Sequence, residues 1–246
     1  MPEMNDIFVS SLGSVCFAKW NVCEQLGVKY LSSPFDNLEN ISQWQFTNIV
    51  ELLAKGFKQI CESDLEYREH QSRRIVDGKV ATFRGYTYIG RQLMQPFRLP
   101  HFFDVLLGKE DAWNRWRHKC GAFQAALCDT SKKLLLLSLR LNSGVQLDTP
   151  ERREYIARDA WALMIYLKGK YGRTPDNCRL LSIIVADDVD ETIIEYDEKS
   201  FRQVVVSAGD EADTPYWDRK PREEYINIAK QYLTEFNQST QEEQQP

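Results

Sequence analysis

Lys133-Leu134-Leu135-Leu136-Leu137-Ser138-Leu139-Arg140-Leu141 is a near-continuous apolar run with polar residues at both ends. A run this short is read as a β-strand covered on both faces, because a half-exposed strand alternates apolar with polar residues. Working outward, Thr149-Pro150 opens a helix over 151–171, with proline at its first position. A second buried strand is expected over 179–186, followed by the acidic stretch Asp187-Asp188-Val189-Asp190-Glu191. Short strands over 192–196 and 202–207 and a helix over 221–236 complete the C-terminal half. On the N-terminal side, residues 109–127 read as a helix with Trp113, Trp116, Cys120 and Phe123 turned inward. Buried strands alternating with helices predict an α/β fold, a mixed sheet flanked by helices.

The first hundred residues add to this pattern. Residues 7–10 read as a short buried strand. Residues 15–26 read as a helix with Val15, Ala18, Val22 and Leu26 on one face, stopped by Gly27. A loop, Ser32-Ser33-Pro34-Phe35-Asp36-Asn37, precedes a second helix expected over 42–61. Asp77-Gly78, inside residues 74–83, signals a hairpin with a primed turn. Aromatic-rich extended chain continues through Tyr86, Tyr88 and Ile89 to Leu99-Pro100-His101-Phe102-Phe103-Asp104. The expected organisation is a single domain over 1–237 and a disordered polar tail over 238–246.

The chain has 246 residues, 43% hydrophobic and 27% charged, with a net charge of −5. An acidic balance argues against a general nucleic-acid binder. The chain has no apolar run near the roughly 20 residues that span a bilayer. The first residues, Met1-Pro2-Glu3-Met4-Asn5-Asp6, lack the basic and apolar regions of a signal peptide, so a cytoplasmic location is expected. The six cysteines, Cys16, Cys23, Cys61, Cys120, Cys128 and Cys178, are irregularly spaced with no CxxC pair. They are read as reduced thiols rather than a zinc site. No metal or cofactor is expected.

Cys16 is the candidate centre of chemistry. The run Phe8-Val9-Ser10-Ser11-Leu12-Gly13-Ser14-Val15-Cys16 reads as strand, turn and helix start, which places a thiol at a helix N-terminus. Unpaired N–H groups and the helix dipole there stabilise a thiolate, which is the reactive form. A nucleophilic thiol needs a base. Of three histidines, His70 and His118 stand in charged stretches that suit a surface, while His101 stands between Pro100 and two phenylalanines and could face Cys16. Asp104, Asn142 and Asp36 are the alternatives for a group that orients the imidazole. Ser14 and Ser11 could complete an oxyanion hole with the Cys16 backbone N–H, and Trp20 flanks the helix on the side of Cys16. The chain has no Gly-x-Ser-x-Gly, Walker or Rossmann pattern. The acidic stretch 187–191 is either a solvated loop or a site for a hard divalent cation.

Ser11-Leu12-Gly13-Ser14-Val15-Cys16, Leu26-Gly27 and Ser33-Pro34-Phe35-Asp36 together resemble an uncharacterised family of papain-like cysteine peptidases. The likeness is specific over 8–37 and loose over 97–141, where His101 and the strand ending Leu139-Arg140 follow the family's order. Two positions depart from it: Phe102, not Asp, follows His101, and Asn37, not Trp, follows Asp36. The resemblance implies a papain-like arrangement, with a Cys at a helix start packed against a sheet that supplies a His. It implies a thiol-dependent hydrolase or acyl transferase acting on a peptide, glycan or acyl substrate. The alternatives are a catalytically silent module that binds a glycan or protein, and an enzyme of surface-polysaccharide modification.

Overall fold

The computed structural model describes residues 7–13, 18–19, 22–37, 39–40, 45–57, 65–76, 79–90, 97–98, 109–140, 149–186, 188–208 and 223–242. The apolar run of the sequence is β7 (Lys133–Arg140), buried from Leu134 onward. It pairs in parallel with β1 (Ile7–Ser11) on one side and with β8 (Cys178–Ala186) on the other. Beyond β1 lies β2 (Lys29–Tyr30), also parallel. Beyond β8 lies β10 (Phe201–Ser207), parallel, and then β9 (Ile193–Glu198), antiparallel, at the edge. The described sheet is therefore mixed, with the order β2-β1-β7-β8-β10-β9.

Successive side chains of a strand point to opposite faces, and this sorts the leucines of β7 into two cores. Leu134 and Leu136 face α1 (Gln45–Ala54), α2 (Lys109–Cys128) and α3 (Pro150–Tyr171). Leu135, Leu137 and Leu139 face the segment Ala18–Leu26 and α4 (Glu223–Glu242). β8 divides in the same way, with Leu180 and Ile184 on the first face and Leu181, Ile183 and Val185 on the second. The result is an α/β fold in which helices cover both faces of a largely parallel sheet.

The helix ends have local causes. Thr149 caps α3, its side chain accepting from the Arg152 N–H, and Pro150 takes the first turn. Gly172, at φ 68°, closes the same helix in the left-handed conformation. Arg173, next in line, is buried and donates to the carbonyls of Ala126, Leu127, Asp129, Lys132 and Asn177. It thereby fixes the turn between α2 and β7. α1 ends earlier than the expected 42–61. Gly56 and Phe57 are both left-handed, the Gly56 N–H donates to the Leu53 carbonyl, and the Phe57 N–H donates to that of Leu52. This is a Schellman closure with Gly56 at its left-handed position, and buried Phe57 and Leu52 share one core.

The expected helix over 15–26 is broken in its described part. Ala18–Lys19 are helical, and Cys23–Gln25 form a 3-10 turn. The apolar stripe holds nonetheless, since Ala18, Val22 and Leu26 are buried, and Gly27 turns at φ 70°. The described hairpin is longer than 74–83. β4 (Leu65–Val76) pairs antiparallel with β5 (Lys79–Gly90), with Asp77-Gly78 between them. With β3 (Glu39–Asn40) and β6 (Phe97–Arg98) they form a second sheet, ordered β3-β6-β5-β4. α4 runs to Glu242, into the stretch expected as a polar tail.

Leu135→Ala opens a cavity in the second core and should cost about 2–5 kcal/mol of unfolding free energy in urea. Gly172→Ala should cost only about 1 kcal/mol, all of it conformational. A Cβ there would meet nothing closer than Thr130 Cγ2 at 3.9 Å.

Candidate functional site

In an open α/β sheet, a crevice forms at the carboxyl ends of two adjacent strands whose following connections leave toward opposite faces. β1 and β7 meet this condition. The chain after β1 leads to Ala18, Val22 and Leu26, which pack on the face of Leu135 and Leu137. The chain after β7 leads to α3, which packs on the face of Leu134 and Leu136. The topological switch point of the sheet therefore lies where Ser11 ends β1 and Arg140 ends β7.

The end of β1 is tied down by a buried polar knot. The Leu12 N–H donates to the Leu137 carbonyl at 2.8 Å, extending the pairing one residue past the strand. Gly13 then takes φ 109°, a backbone conformation open to glycine and strained for other residues. Its N–H donates to Ser11 Oγ at 3.3 Å. The Ser11 carbonyl accepts from Ser33 Oγ at 2.6 Å, and Ser33 Oγ accepts from the Phe35 N–H at 3.1 Å. A hydroxyl has one proton, so the 3.2 Å approach of Ser33 Oγ to Asp36 Oδ1 is the secondary contact.

Asp36 is the centre of this knot. It is 1% exposed, yet its two oxygens are well supplied with donors. Tyr30 Oη donates to Oδ1, Ser32 Oγ donates to Oδ2 at 2.8 Å, and Lys119 Nζ of α2 lies 3.2 Å from Oδ2. A carboxylate presents about four acceptor positions, and Tyr30, Ser32 and Lys119 fill three of them. A buried charge is tolerated on these terms. Burial first, and the Asp36 charge second, push the Tyr30 phenol well above its ordinary range. The Cys23 thiol is pushed up for the same two reasons in the same order.

At the end of β7, Arg140 is 6% exposed. Burial lowers its pKa to about 10, and the charge of Asp159 works against that fall. Asp159, on α3, also reaches across to the start of α1. It accepts from the Phe46 N–H at 2.7 Å and from Thr47 Oγ1, which caps that helix from a neighbouring one. Burial raises the Asp159 pKa against these hydrogen bonds and the Arg140 charge.

Of the residues singled out in the sequence, Ser11 and Asp36 are brought together, with Ser33 between them. Cys16, Ser14, Trp20, His101, Asp104 and Asn142 lie outside the described residues. His118 is exposed on α2, and His70 stands in β4 opposite Gly85. Cys23, Cys120, Cys128 and Cys178 are free thiols, as expected of reduced cysteines. Asp188, from the acidic stretch, is held by Arg153 at 2.6 Å. Among the described residues, no group of three His, Cys, Asp or Glu side chains is placed to hold a metal ion. No described helix is long and apolar enough to cross a membrane.

Tyr30, Ser33, Lys119, Arg140 and Asp159 were not singled out by the sequence. For Ser33 a signal existed, because Ser-Pro is the cap and first residue of a helical turn, and Pro34–Asn37 is a 3-10 turn. Lys119 stands in the charged stretch around His118, yet it is largely withdrawn from water and bound to Asp36. Comparison of the chain with protein-family models, curated proteins and solved structures finds no match in any of the three. The resemblance over 8–37 rests on its own residues.

Asp36→Ala leaves a buried phenol and an ammonium without their acceptor and should destabilise the fold by about 3 kcal/mol in urea unfolding. Tyr30→Phe should cost about 1 kcal/mol. The double variant should cost less than the sum, because the two groups share one hydrogen bond.

Proposed function

We propose that the protein is a thiol-dependent hydrolase or acyl transferase working at the carboxyl ends of β1 and β7. Cys16 is the nucleophile, His101 moves the proton, and Asp104 or Asn142 orients the imidazole. The Cys16 thiolate attacks an acyl carbonyl carbon, and the carbonyl π pair moves onto oxygen. The Cys16 backbone N–H, with Ser14 or Ser11, holds that oxyanion. The imidazolium gives its proton to the departing group, leaving a thioester. Water or an amine, deprotonated by the same imidazole, then releases the acyl group and restores the thiol.

One observation carries this reading: β1, the strand that runs toward Cys16, ends at the topological switch point of the sheet. Cys16 follows Gly13 by three residues, and three residues of chain span at most about 11 Å. Asn142 follows Arg140, the last residue of the neighbouring strand, by two. Sites in doubly wound sheets occur at this position for reasons of geometry, whatever the chemistry.

Iodoacetamide labelling at pH 6, resolved by peptide mapping, tests the proposal. Cys23, Cys120 and Cys178 are buried. Burial raises the thiol pKa of Cys120 and Cys178 to about 12, so both stay protonated and inert near neutrality. Exposed Cys128 is the internal reference. Cys16 should be alkylated at least about ten-fold faster than Cys128, and His101→Ala should remove most of that advantage. Equal rates for Cys16 and Cys128 in the unaltered protein would overturn the proposal in favour of a binding module.

A further inference from the structure

α3 is apolar on more than its buried side. The inner face, with Ile156, Ala160, Leu163 and Leu167, packs on the sheet. The outer face also carries large apolar groups, with Trp161 38% and Ile165 63% exposed. Tyr155 adds a third at 42%. A helix covered on one side normally turns charged residues to water on the other. Clustered exposed apolar side chains of this size mark an interaction surface.

The outer residues follow a definite order. Glu154, Arg158, Trp161, Ile165 and Lys168 are spaced four, three, four and three apart, the repeat that keeps one seam of a helix facing a partner helix. Set against its own reverse, the seam is complementary in charge. It has an acid at one end, a base at the other, and Trp161 at the middle. Glu154 is bridged to Arg158 within its own helix, but both groups are exposed, and such a pair contributes little.

We propose that this face binds a second copy of the chain, the two α3 helices crossing antiparallel about a twofold axis at Trp161. Each Glu154 then meets Lys168 of the other copy, and the alkyl stem of each Arg158 lies over Ile165 of the other copy. The two indole rings pack at the centre. Parallel pairing would set Glu154 against Glu154 and Lys168 against Lys168, so the charge order selects the antiparallel form. The contact is isologous, as a twofold dimer requires. One helix of about 33 Å per copy gives an interface at the small end of stable dimers, which fits a dissociation constant on the order of micromolar.

Sedimentation equilibrium between about 1 and 100 µM tests the proposal. The chain of 28.7 kDa should approach twice that mass at the upper concentration. Ile165→Glu, at an exposed position that leaves the core intact, should raise the dissociation constant at least about ten-fold. Glu154→Lys alone and Lys168→Glu alone should each weaken the dimer several-fold. The two together in one chain should restore it, because the end charges are then exchanged rather than lost. Circular dichroism should show an unchanged fold in every variant. A monomer at 100 µM overturns the proposal. So does a dimer that survives Ile165→Glu, or one whose single charge variants are not rescued in combination.

Discussion

The structure depends on the burial of β7 and β8 on both faces at once. Each strand sends successive side chains to opposite sides, and on β7 and β8 both sides are almost wholly apolar. A sheet with two such strands at its centre needs cover above and below. α1, α2 and α3 supply one cover, and the segment Ala18–Leu26 with α4 supplies the other. Each Å² of apolar surface removed from water contributes roughly 25 cal/mol, so burial on both faces dominates the packing of these strands.

The position of the topological switch point follows from it. Parallel neighbours need crossover connections, and crossovers in such sheets are right-handed. From β1 the chain moves outward to β2, and from β7 it moves the opposite way to β8. One handedness with two directions puts the two crossovers on opposite faces. The strands must therefore part company at their carboxyl ends. Backbone and side-chain polar groups there have lost the regular ladder and need other partners. The Ser11–Ser33–Asp36–Lys119 knot meets that need within the protein at the end of β1. Ser11, Ser33 and Asp36 are thereby buried polar residues beside an apolar core.

The sequence reveals the central strands because their signal is local. β7 and β8 are short unbroken apolar runs, and the Thr149-Pro150 start of α3 uses chemistry confined to two residues. The early end of α1 was also written locally, in Gly56 before Phe57, but the apolar residues beyond it continue a helical spacing and mask the stop. The knot at the end of β1 was not legible. Its partners come from residues 11, 30, 33, 36 and 119, and nothing in the spacing of Lys119 from Asp36 announces that a helix will carry one to the other. The same holds for Asp159, which caps a helix more than a hundred residues away. Contacts of that kind depend on the completed fold, whereas periodicity and turns do not.

α3 shows how a weak sequence signal can itself carry information. Its apolar residues are spread around the helix, so its pattern does not say which side faces the sheet. Partial apolarity on every side is costly for an isolated surface helix, since exposed Trp161 and Ile165 gain nothing from water. The inner residues are accounted for by the leucines of β7 and β8. The outer ones are matched in spacing and charge order to a copy of themselves. A helix that serves two surfaces must look indistinct to any reading that assumes one. The lost contrast in α3 is then the trace of two overlapping seams, one fixed by the sheet and one offered to a partner.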